Sequence, residues 1–447
     1  MLSEDLLLEI FDFYRLNAME SSSQRPWKWH RLAHICRKWR HLLSLSPHRL
    51  NLRILCEYGA PIESFLGSWP TLPLVVRYKD LRSKSLPHNV IVALRRPHRV
   101  SEIDLVLPGS LVGSIVEAIQ QPLPGLECIR VTVENATEPM PVREAFLGGS
   151  APHLREIKLD GITFPFPAVQ QVLLSTNNLV ELHLDNIPNA SHIPPDDLVT
   201  GFSPLVHLKR LTVGFHSPTS SLHPSMTHPL QRTTLPSLTS FGFRGASEYL
   251  EEFVARIDMP GLRTITIRLF NDIFFDTPRF SQLIPHLNAL VSPTSVIVRH
   301  FVRSVSVSLM HGSKLSEGCL FVTSCRRLDW QLSFATQILS QLSPLLSGVG
   351  TLSIKSGREL PTGEEDVEST QWLELFQLFA HVKYLDVSDE LVPSVSQALV
   401  SENMAAGVLP ELTSLRLSNR TSLSTTRLAE QFVATRELSG HTVKLIG

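Results

Sequence analysis

The chain of 447 residues is long enough for two or three ordinary domains or for one long repeat array. Hydrophobic residues make up 43% of it and charged residues 19%, which excludes wholesale disorder because enough apolar material is present to bury a core. The formal net charge is −1, so the chain as a whole provides no electrostatic field that favours nucleic acid or an anionic membrane.

The first predicted element is an amphipathic helix over residues 2–14. Ser3 is suited to cap it, because a serine hydroxyl accepts a hydrogen bond from a free amide of the first turn. Acidic residues follow where the helix dipole favours negative charge, and where a signal peptide would need a basic segment and an apolar run. The apolar residues at helical spacing are Leu2, Leu6, Leu7, Ile10, Phe11 and Tyr14.

A second helical stretch is predicted from about residue 27 to residue 45, after a polar loop at 17–26, and Pro47 ends it. Helix, loop and helix form a module at residues 1–50 with little core of its own, so we expect it to pack against something else. Residues 51–99 are interpreted as a connecting or capping segment. The apolar residues that share a face of the second helix are Leu32, Ile35, Cys36, Trp39, Leu42 and Leu43.

From residue 100 onward a six-residue pattern recurs, Φ-x-x-Φ-x-Φ, where Φ is an apolar residue. The last two apolar positions are two residues apart, so they point to the same face of a short strand. The first seven copies begin 24 to 30 residues apart. The twelve copies begin at Val100, Leu126, Leu154, Leu179, Leu208, Leu238, Leu262, Val302, Cys325, Val349, Val382 and Leu412.

This period is typical of leucine-rich repeats, in which each unit is a strand plus a return segment that is often helical. One unit cannot bury its apolar face, but stacked units share a continuous core. We therefore predict an α/β repeat fold, with an irregular leucine-rich repeat solenoid over residues 100–447 and loops near 216–235 and 356–369. The alternative is a generic α/β fold with several β-α units. Helical return segments are predicted at 111–121, 168–176, 249–259, 279–291, 335–346 and 369–380.

Motifs of catalysis are missing from the sequence. It contains no H-E-x-x-H, no Cys/His cluster with metal-ligand spacing, no glycine-rich phosphate loop and no G-x-S-x-G element. The five cysteines are scattered and odd in number, which is typical of free thiols in a reducing compartment. No stretch reaches the roughly 18 apolar residues that a membrane span requires. We expect a cytoplasmic or nuclear protein that is not an enzyme, without catalytic residues, metal, cofactor or membrane partner.

Two N-terminal segments resemble the F-box motif. Residues 2–11 read Leu-Ser-Glu-Asp-Leu-Leu-Leu-Glu-Ile-Phe, and residues 32–40 read Leu-Ala-His-Ile-Cys-Arg-Lys-Trp-Arg. The family typically opens with Leu-Pro and Leu-x-x-Ile-Phe and later has Val-Cys-Arg-x-Trp. Ser3 replaces the preferred proline, and the loop at 17–26 is longer than usual. Over nearly the whole length, the chain is similar to the F-box proteins with irregular leucine-rich repeats that are abundant in mushroom-forming (basidiomycete) fungi.

The resemblance implies the substrate-recognition adaptor of a Skp–cullin–F-box ubiquitin ligase, whose partners are a Skp-type adaptor and, through it, a cullin. Phe11 and Trp39 are predicted as anchors, because large aromatic side chains dominate interface energies. The alternative is that the same apolar residues form the core of the module itself. The positions implied to bind the adaptor are Leu2, Leu6, Ile10, Phe11, Ile35, Cys36 and Trp39.

The repeats are expected to bind a protein target through polar side chains that lie between the buried ones. The charges of these side chains vary from repeat to repeat and do not identify the target. The predicted target-binding residues are Glu102, Asp104, Arg155, Lys158, Glu181, His183, Arg263 and Arg416.

Two other functions remain open. The first is a binding scaffold unconnected with ubiquitin, whose N-terminal helices only cap the repeats. The second is nucleic-acid binding through residues 21–56, which contain eight Lys or Arg, three Trp and no Asp or Glu. A basic patch of this kind also orients an acidic protein partner, and this reading is favoured because the rest of the chain is not basic.

Overall fold

The computed structural model describes residues 3–20, 30–47, 49–57, 62–82, 85–134, 146–162, 165–188, 193–217, 232–270, 293–311, 318–325, 327–357, 369–400, 408–417, 423–438 and 440–446. Within these ranges the chain is a mixed α/β protein dominated by parallel strands. It divides into two compact units, Met1–Leu179 and Val180–Gly447.

The first unit opens with three helices, α1 (Glu4–Glu20), α2 (His30–Ala33) and α3 (Arg37–Leu45). The predicted cap is confirmed, since the amide of Leu6 donates to Oγ of Ser3 at 3.3 Å. Helix α1 runs six residues beyond its predicted end at residue 14, so helix occupies part of the segment predicted as a loop. The rest of that loop lies outside the described residues.

The sheet of the first unit is parallel, and its strands pair in chain order. Its strands are β1 (Ile54–Cys56), β2 (Leu74–Lys79), β3 (Val100–Pro108), β4 (Cys128–Glu134) and β5 (Glu156–Asp160), and the helices that follow α3 are α4 (Glu63–Ser68), α5 (His88–Leu94), α6 (Val112–Ile119) and α7 (Phe166–Ser175).

This sheet starts before residue 100, where the first copy of the pattern was predicted. Strands β1 and β2 lie in the segment interpreted as a connection. Leu74, Val75 and Val76 are all buried, so β2 reads as a continuous apolar run. A strand buried on both faces does not show the alternation on which the pattern depends.

The second unit carries a longer sheet, in the order β6, β7, β9, β11, β14, β13, β12, β15, β16, β17 and β18. Strands β8 (Thr233–Thr234) and β10 (Ile257–Asp258) form a separate parallel pair. The strands of the sheet are β6 (Glu181–Ile187), β7 (Arg210–Phe215), β9 (Ser240–Gly245), β11 (Thr264–Leu269), β12 (Ser295–Phe301), β13 (Ser304–Met310), β14 (Gly318–Thr323), β15 (Thr351–Ser356), β16 (Tyr384–Val387), β17 (Ser414–Leu417) and β18 (Lys444–Ile446).

Helices precede or follow most of these strands, and a helix lies in each predicted return segment that the structure describes, although the segment predicted at 249–259 is helical only to Val254 and then contains β10. The predicted segment 279–291 lies outside the described residues, as do 218–231 and 358–368 within the two predicted loops. The helices are α8 (Pro195–Phe202), α9 (Ser247–Val254), α10 (Leu328–Gln341), α11 (Ser343–Leu346), α12 (Ser369–Gln377), α13 (Val392–Val400) and α14 (Leu423–Leu438).

The predicted pattern residues lie in register across neighbouring strands. Ile103 pairs with Ile129, which pairs with Ile157, and the second apolar position repeats the same alignment. In most copies the first residue is buried in the turn before its strand; the amide of Leu126, for example, donates to the carbonyl of Leu123 at 3.1 Å. Val302 is an exception, since it is 39% exposed, and Val100 already lies on β3. In every predicted copy but one, the last two apolar residues lie on a strand.

The exception is the copy predicted at Cys325, which is wrong. Leu328 and Trp330 lie on helix α10, because further apolar residues follow them at steps of three and four. Strand β14 precedes this helix. Strand β13 carries the copy that begins at Val302, but it runs antiparallel to both neighbours, β12 and β14. The repeat pattern did not predict this antiparallel insertion.

Candidate protein-binding surfaces

Helix α1 carries large apolar side chains on two faces. One face is buried and contains Leu7, Leu8 and Phe11. The other is exposed and contains Leu6, Ile10, Phe13 and Tyr14, which we call the N-terminal apolar stripe. Their spacing places these four side chains beside one another on the helix. A run of exposed apolar side chains on one helix face is typical of a binding surface.

The predicted adaptor-binding residues fall into an exposed group and a second group, Phe11 and Trp39, whose rings pack within the module. Leu6, Ile10, Ile35 and Cys36 are exposed, with Ile35 at 57% in the turn between α2 and α3. Leu2 lies outside the described residues.

The predicted anchor Phe11 is fully buried, and its ring contacts the half-buried ring of Trp39 edge to face, at 4.8 Å between centroids. Phe11 therefore belongs to the core of the module and is not exposed to a partner, contrary to the prediction. Phe13 was not predicted, although it is 68% exposed. An aromatic residue off the buried helix face was the signal in the sequence.

Several residues of the predicted basic patch are engaged within the chain. Nε of Arg40 donates to the carbonyl of Ala33 at 3.0 Å, and Nη2 of Arg53 donates to a carboxylate oxygen of Glu127 at 2.8 Å. Arg31 and Arg37 are exposed near Ile35 in the sequence. The positive charge that remains on the surface is thus close to the exposed apolar residues. Arg25 and Lys28 lie outside the described residues.

The strand face of the first unit is crossed by ion pairs that join adjacent strands. Arg130 bonds to Glu102 on one side at 3.1 Å and to Glu156 on the other at 2.5 Å. Asp104 is buried and lies 3.5 Å from the guanidinium of Arg77. Glu102 and Asp104, both predicted to bind a target, are therefore already paired within the chain.

Cys128 lies between two of these carboxylates in the sheet register, next to Glu102 and Glu156. Burial raises the pKa of its thiol well above the ordinary value, and the adjacent carboxylates raise it further. A thiol held in its neutral form is a poor nucleophile, so this cysteine is suited to packing rather than chemistry.

The remaining predicted target-binding residues differ in their availability. Arg155, Lys158, Arg263 and Arg416 are exposed. Glu181 is paired with the guanidinium of Arg210. Nδ1 of His183 lies 3.0 Å from Oγ1 of Thr212. The exposed polar residues of the predicted set are thus mainly basic.

Within the described ranges, no three His, Cys, Asp or Glu side chains are grouped so that they could hold a metal ion. None of the helices seen there is both long and apolar enough to cross a bilayer. The sequence matches no family model, and a comparison with curated proteins gave no match.

Proposed function

We propose that this protein is the substrate-recognition adaptor of a Skp–cullin–F-box type ubiquitin ligase in the cytoplasm, the nucleus or both. The observation that carries the proposal is the exposed apolar surface of the N-terminal module, formed by the N-terminal apolar stripe and Ile35. Leu6, Ile10 and Ile35 stand at the positions where the resemblance to the F-box motif places adaptor contacts. The module would bind the Skp-type adaptor through these side chains.

The second half of the proposal is a leucine-rich repeat array that recruits a protein target. Its support is the repeated local geometry, in which a buried residue in a turn precedes two buried residues in register on a parallel strand. In this function the chain performs no chemistry of its own. It holds a target near the subunits that transfer ubiquitin and so raises its effective concentration there.

The test is co-purification of the full chain with a purified Skp-type adaptor. Ile35→Asp and Phe13→Asp place a charge on the exposed surface and are expected to reduce capture at least about tenfold, since a desolvated unpaired charge is costly at an interface. Trp39→Ala is a less useful variant, because Trp39 also packs on Phe11.

Leu174→Asp is the matched control, because Leu174 on α7 is 54% exposed, close to the 57% of Ile35. It should leave capture unchanged. If the unmodified chain never captures the adaptor at any ionic strength, the proposal fails.

The alternative is a scaffold whose N-terminal helices only cap the sheet. The burial of Phe11 against Trp39 favours this alternative, because helices that only cap a sheet are expected to bury their large side chains within the module. It predicts that Ile35→Asp changes neither target binding nor the capture of any ubiquitin-ligase subunit.

A further inference from the structure

The strands in the middle of the sheet of the second unit carry Arg and Lys residues but no acidic residues. From β7 to β15, seven strands adjacent in the sheet contain no Asp or Glu. Arg244 on β9 pairs in register with Arg268 on β11, and Arg299 on β12 pairs with Lys355 on β15. Between Arg268 and Arg299 the same row passes through Val322 and Ser306.

Two of these four cations have partners within the sheet face. Arg244 donates to Oδ1 of Asn186 at 2.7 Å, and Lys355 donates to Asp386 at 2.6 Å. Arg268 is exposed and Arg299 half-buried, and neither makes a hydrogen bond or ion pair with any residue that the structure describes. Their guanidinium groups are therefore able to bind an external anion.

Strand β13 lies between the strands of these two arginines and carries short side chains on its outer face, and we call this part of the strand face the groove. On β13, Val305, Val307 and Leu309 face the core, so Ser306 and Ser308 face outward by the alternation of a strand. Longer side chains flank the serines in register. Val322 and Leu320 stand on one side and Arg299 and Ile297 on the other, all half-buried.

Ser306 and Ser308 are 6% and 5% exposed. Their hydroxyls make no hydrogen bond with the described residues. Within the part of the chain that the structure describes, the groove thus combines serine hydroxyls that have no hydrogen-bond partner with aliphatic neighbours and with the unpaired guanidinium groups of Arg268 and Arg299.

We propose that this groove binds an extended, acidic segment of a partner protein, in which two carboxylates flank an apolar residue. The proposal rests on the proposed function, because it assigns the chemistry of the target that the strand face recruits. Three strand spacings of about 4.8 Å separate Arg268 from Arg299, or roughly 14 Å. An extended chain covers that distance in about four residues, so carboxylates at positions i and i+4 reach the two guanidinium groups. The side chain at i+2 points the same way and lies midway along the row, between Val322 and Ser306.

The experiment uses the full chain and the fluorescein-labelled peptide Gly-Ser-Glu-Thr-Val-Thr-Glu-Ser-Gly, with binding followed by fluorescence anisotropy at two ionic strengths. The peptide should bind, and replacing both glutamates with glutamine should weaken binding roughly tenfold. Arg268→Glu and Arg299→Glu should each weaken it by a similar factor. Arg427→Glu, at an exposed arginine on α14, should not change it.

Absence of binding overturns the proposal, and so does equal binding of the glutamine peptide. Displacement of the labelled peptide by oligothymidylate at a lower concentration than by unlabelled peptide would assign the groove to nucleic acid instead. The same two variants are also tested for capture of the Skp-type adaptor. If Arg268→Glu and Arg299→Glu lose peptide binding but still capture the adaptor, the groove is separate from the adaptor-binding surface. If the unmodified chain binds the peptide but captures no adaptor, the adaptor function is refuted and the groove proposal stands.

Discussion

The ring of Phe11 meets the ring of Trp39 at an interplanar angle of 66°, with 4.8 Å between their centroids. The two aromatic residues predicted as anchors for a partner thus contact each other. This contact orders α1 against α3 and leaves the opposite face of α1 exposed, where Leu6, Ile10 and Phe13 lie. The core of the module and its proposed binding surface are therefore two faces of the same helix.

Phe11→Ala should destabilise the N-terminal module, because it leaves a cavity in a well-packed position. The expected loss is about 3 kcal/mol, the usual cost of truncating a buried phenylalanine. Amide hydrogen exchange of α1 measures it locally. Phe13→Ala, on the exposed face of the same helix, should change stability by less than about 0.5 kcal/mol. Equal acceleration of exchange in both variants would contradict the assignment of the two faces.

His300 should make stability depend on pH. It is buried on β12, and Nε2 of Gln331 donates to the carbonyls of Phe301 and Cys325, so Oε1 of Gln331 accepts from Nδ1–H of His300 at 3.1 Å. Burial lowers the pKa of His300 from 6.5 to about 4. Between these values the unfolded chain binds a proton that the folded chain does not. The contribution of His300 to the stability of the folded chain is therefore complete above the unfolded pKa of 6.5, and it is lost as the pH falls from there to the folded pKa of about 4.

Urea unfolding measures this effect. Between about pH 7 and pH 5 the free energy of unfolding should fall by about 2 kcal/mol on account of this residue. His300→Gln lacks the titrating group, so its free energy of unfolding should vary less over the same range, even if its stability is lower throughout. An identical pH dependence in the two proteins would exclude the assignment.

Arg130→Met should expose the repulsion that this arginine offsets. Without the guanidinium, Glu156 loses its bond to Arg130, and Glu102 keeps only the more distant Arg53 and Arg77, each 3.9 Å away. We expect a loss of about 1–2 kcal/mol, limited by solvent because the side chain is about one third exposed, and smaller at high salt. Lys158→Met, in register on the next strand, is the control and should cost little. Similar losses at both positions would show that the ion pairs are not responsible.

Gly161→Ala and Gly67→Ala should change stability in opposite directions. Gly161 has a φ of +71°, and an added Cβ would lie 2.6 Å from the carbonyl oxygen of Val133, so we expect a loss of about 2 kcal/mol or more. Gly67 lies in helix α4 with nothing within 4 Å of an added Cβ, so alanine should stabilise by up to about 1 kcal/mol. Thermal unfolding measures both. A loss at Gly67 comparable to that at Gly161 would contradict this account.

The sequence predicted most of the strands that have one buried face and one partly exposed face, but it missed β12 and β14, whose residues also alternate in burial. Leu211 and Val213 illustrate this, since they alternate with exposed or half-buried residues on β7. The pattern fails at β2, where buried residues are consecutive, and at Leu328 and Trp330, where two positions of a helix imitate the spacing of a strand. It also carries no information on strand direction, so the reversal at β13 was not predictable from spacing alone.

The candidate surfaces were predictable to a smaller extent. The resemblance indicated Leu6, Ile10 and Ile35, which are exposed, but exposure itself depends on packing that spacing does not determine, as Phe11 shows. Glu102 and Asp104 are polar and lie between buried residues, as predicted. Their cations come from neighbouring strands that are 25 or more residues away along the chain, so the sequence does not reveal the pairing. The arginines beside the groove were missed because only the sheet register brings Arg268 and Arg299 into one row.

The antiparallel strand β13 also limits how this sheet can change in length. Strand β13 is antiparallel to both β14 and β12, so β14 and β12 run in the same direction. Strand β14 is parallel to β11, and β12 is parallel to β15, so the sheet has the same strand direction on both sides of β13. Deleting β13 together with β14 would leave β12 free to pair with β11 in the same direction as before. Deleting β13 alone would bring β14 beside β12 without a reversal, but with no hairpin to join them. Insertions and deletions at this place are therefore expected to come as hairpins, in steps of two strands.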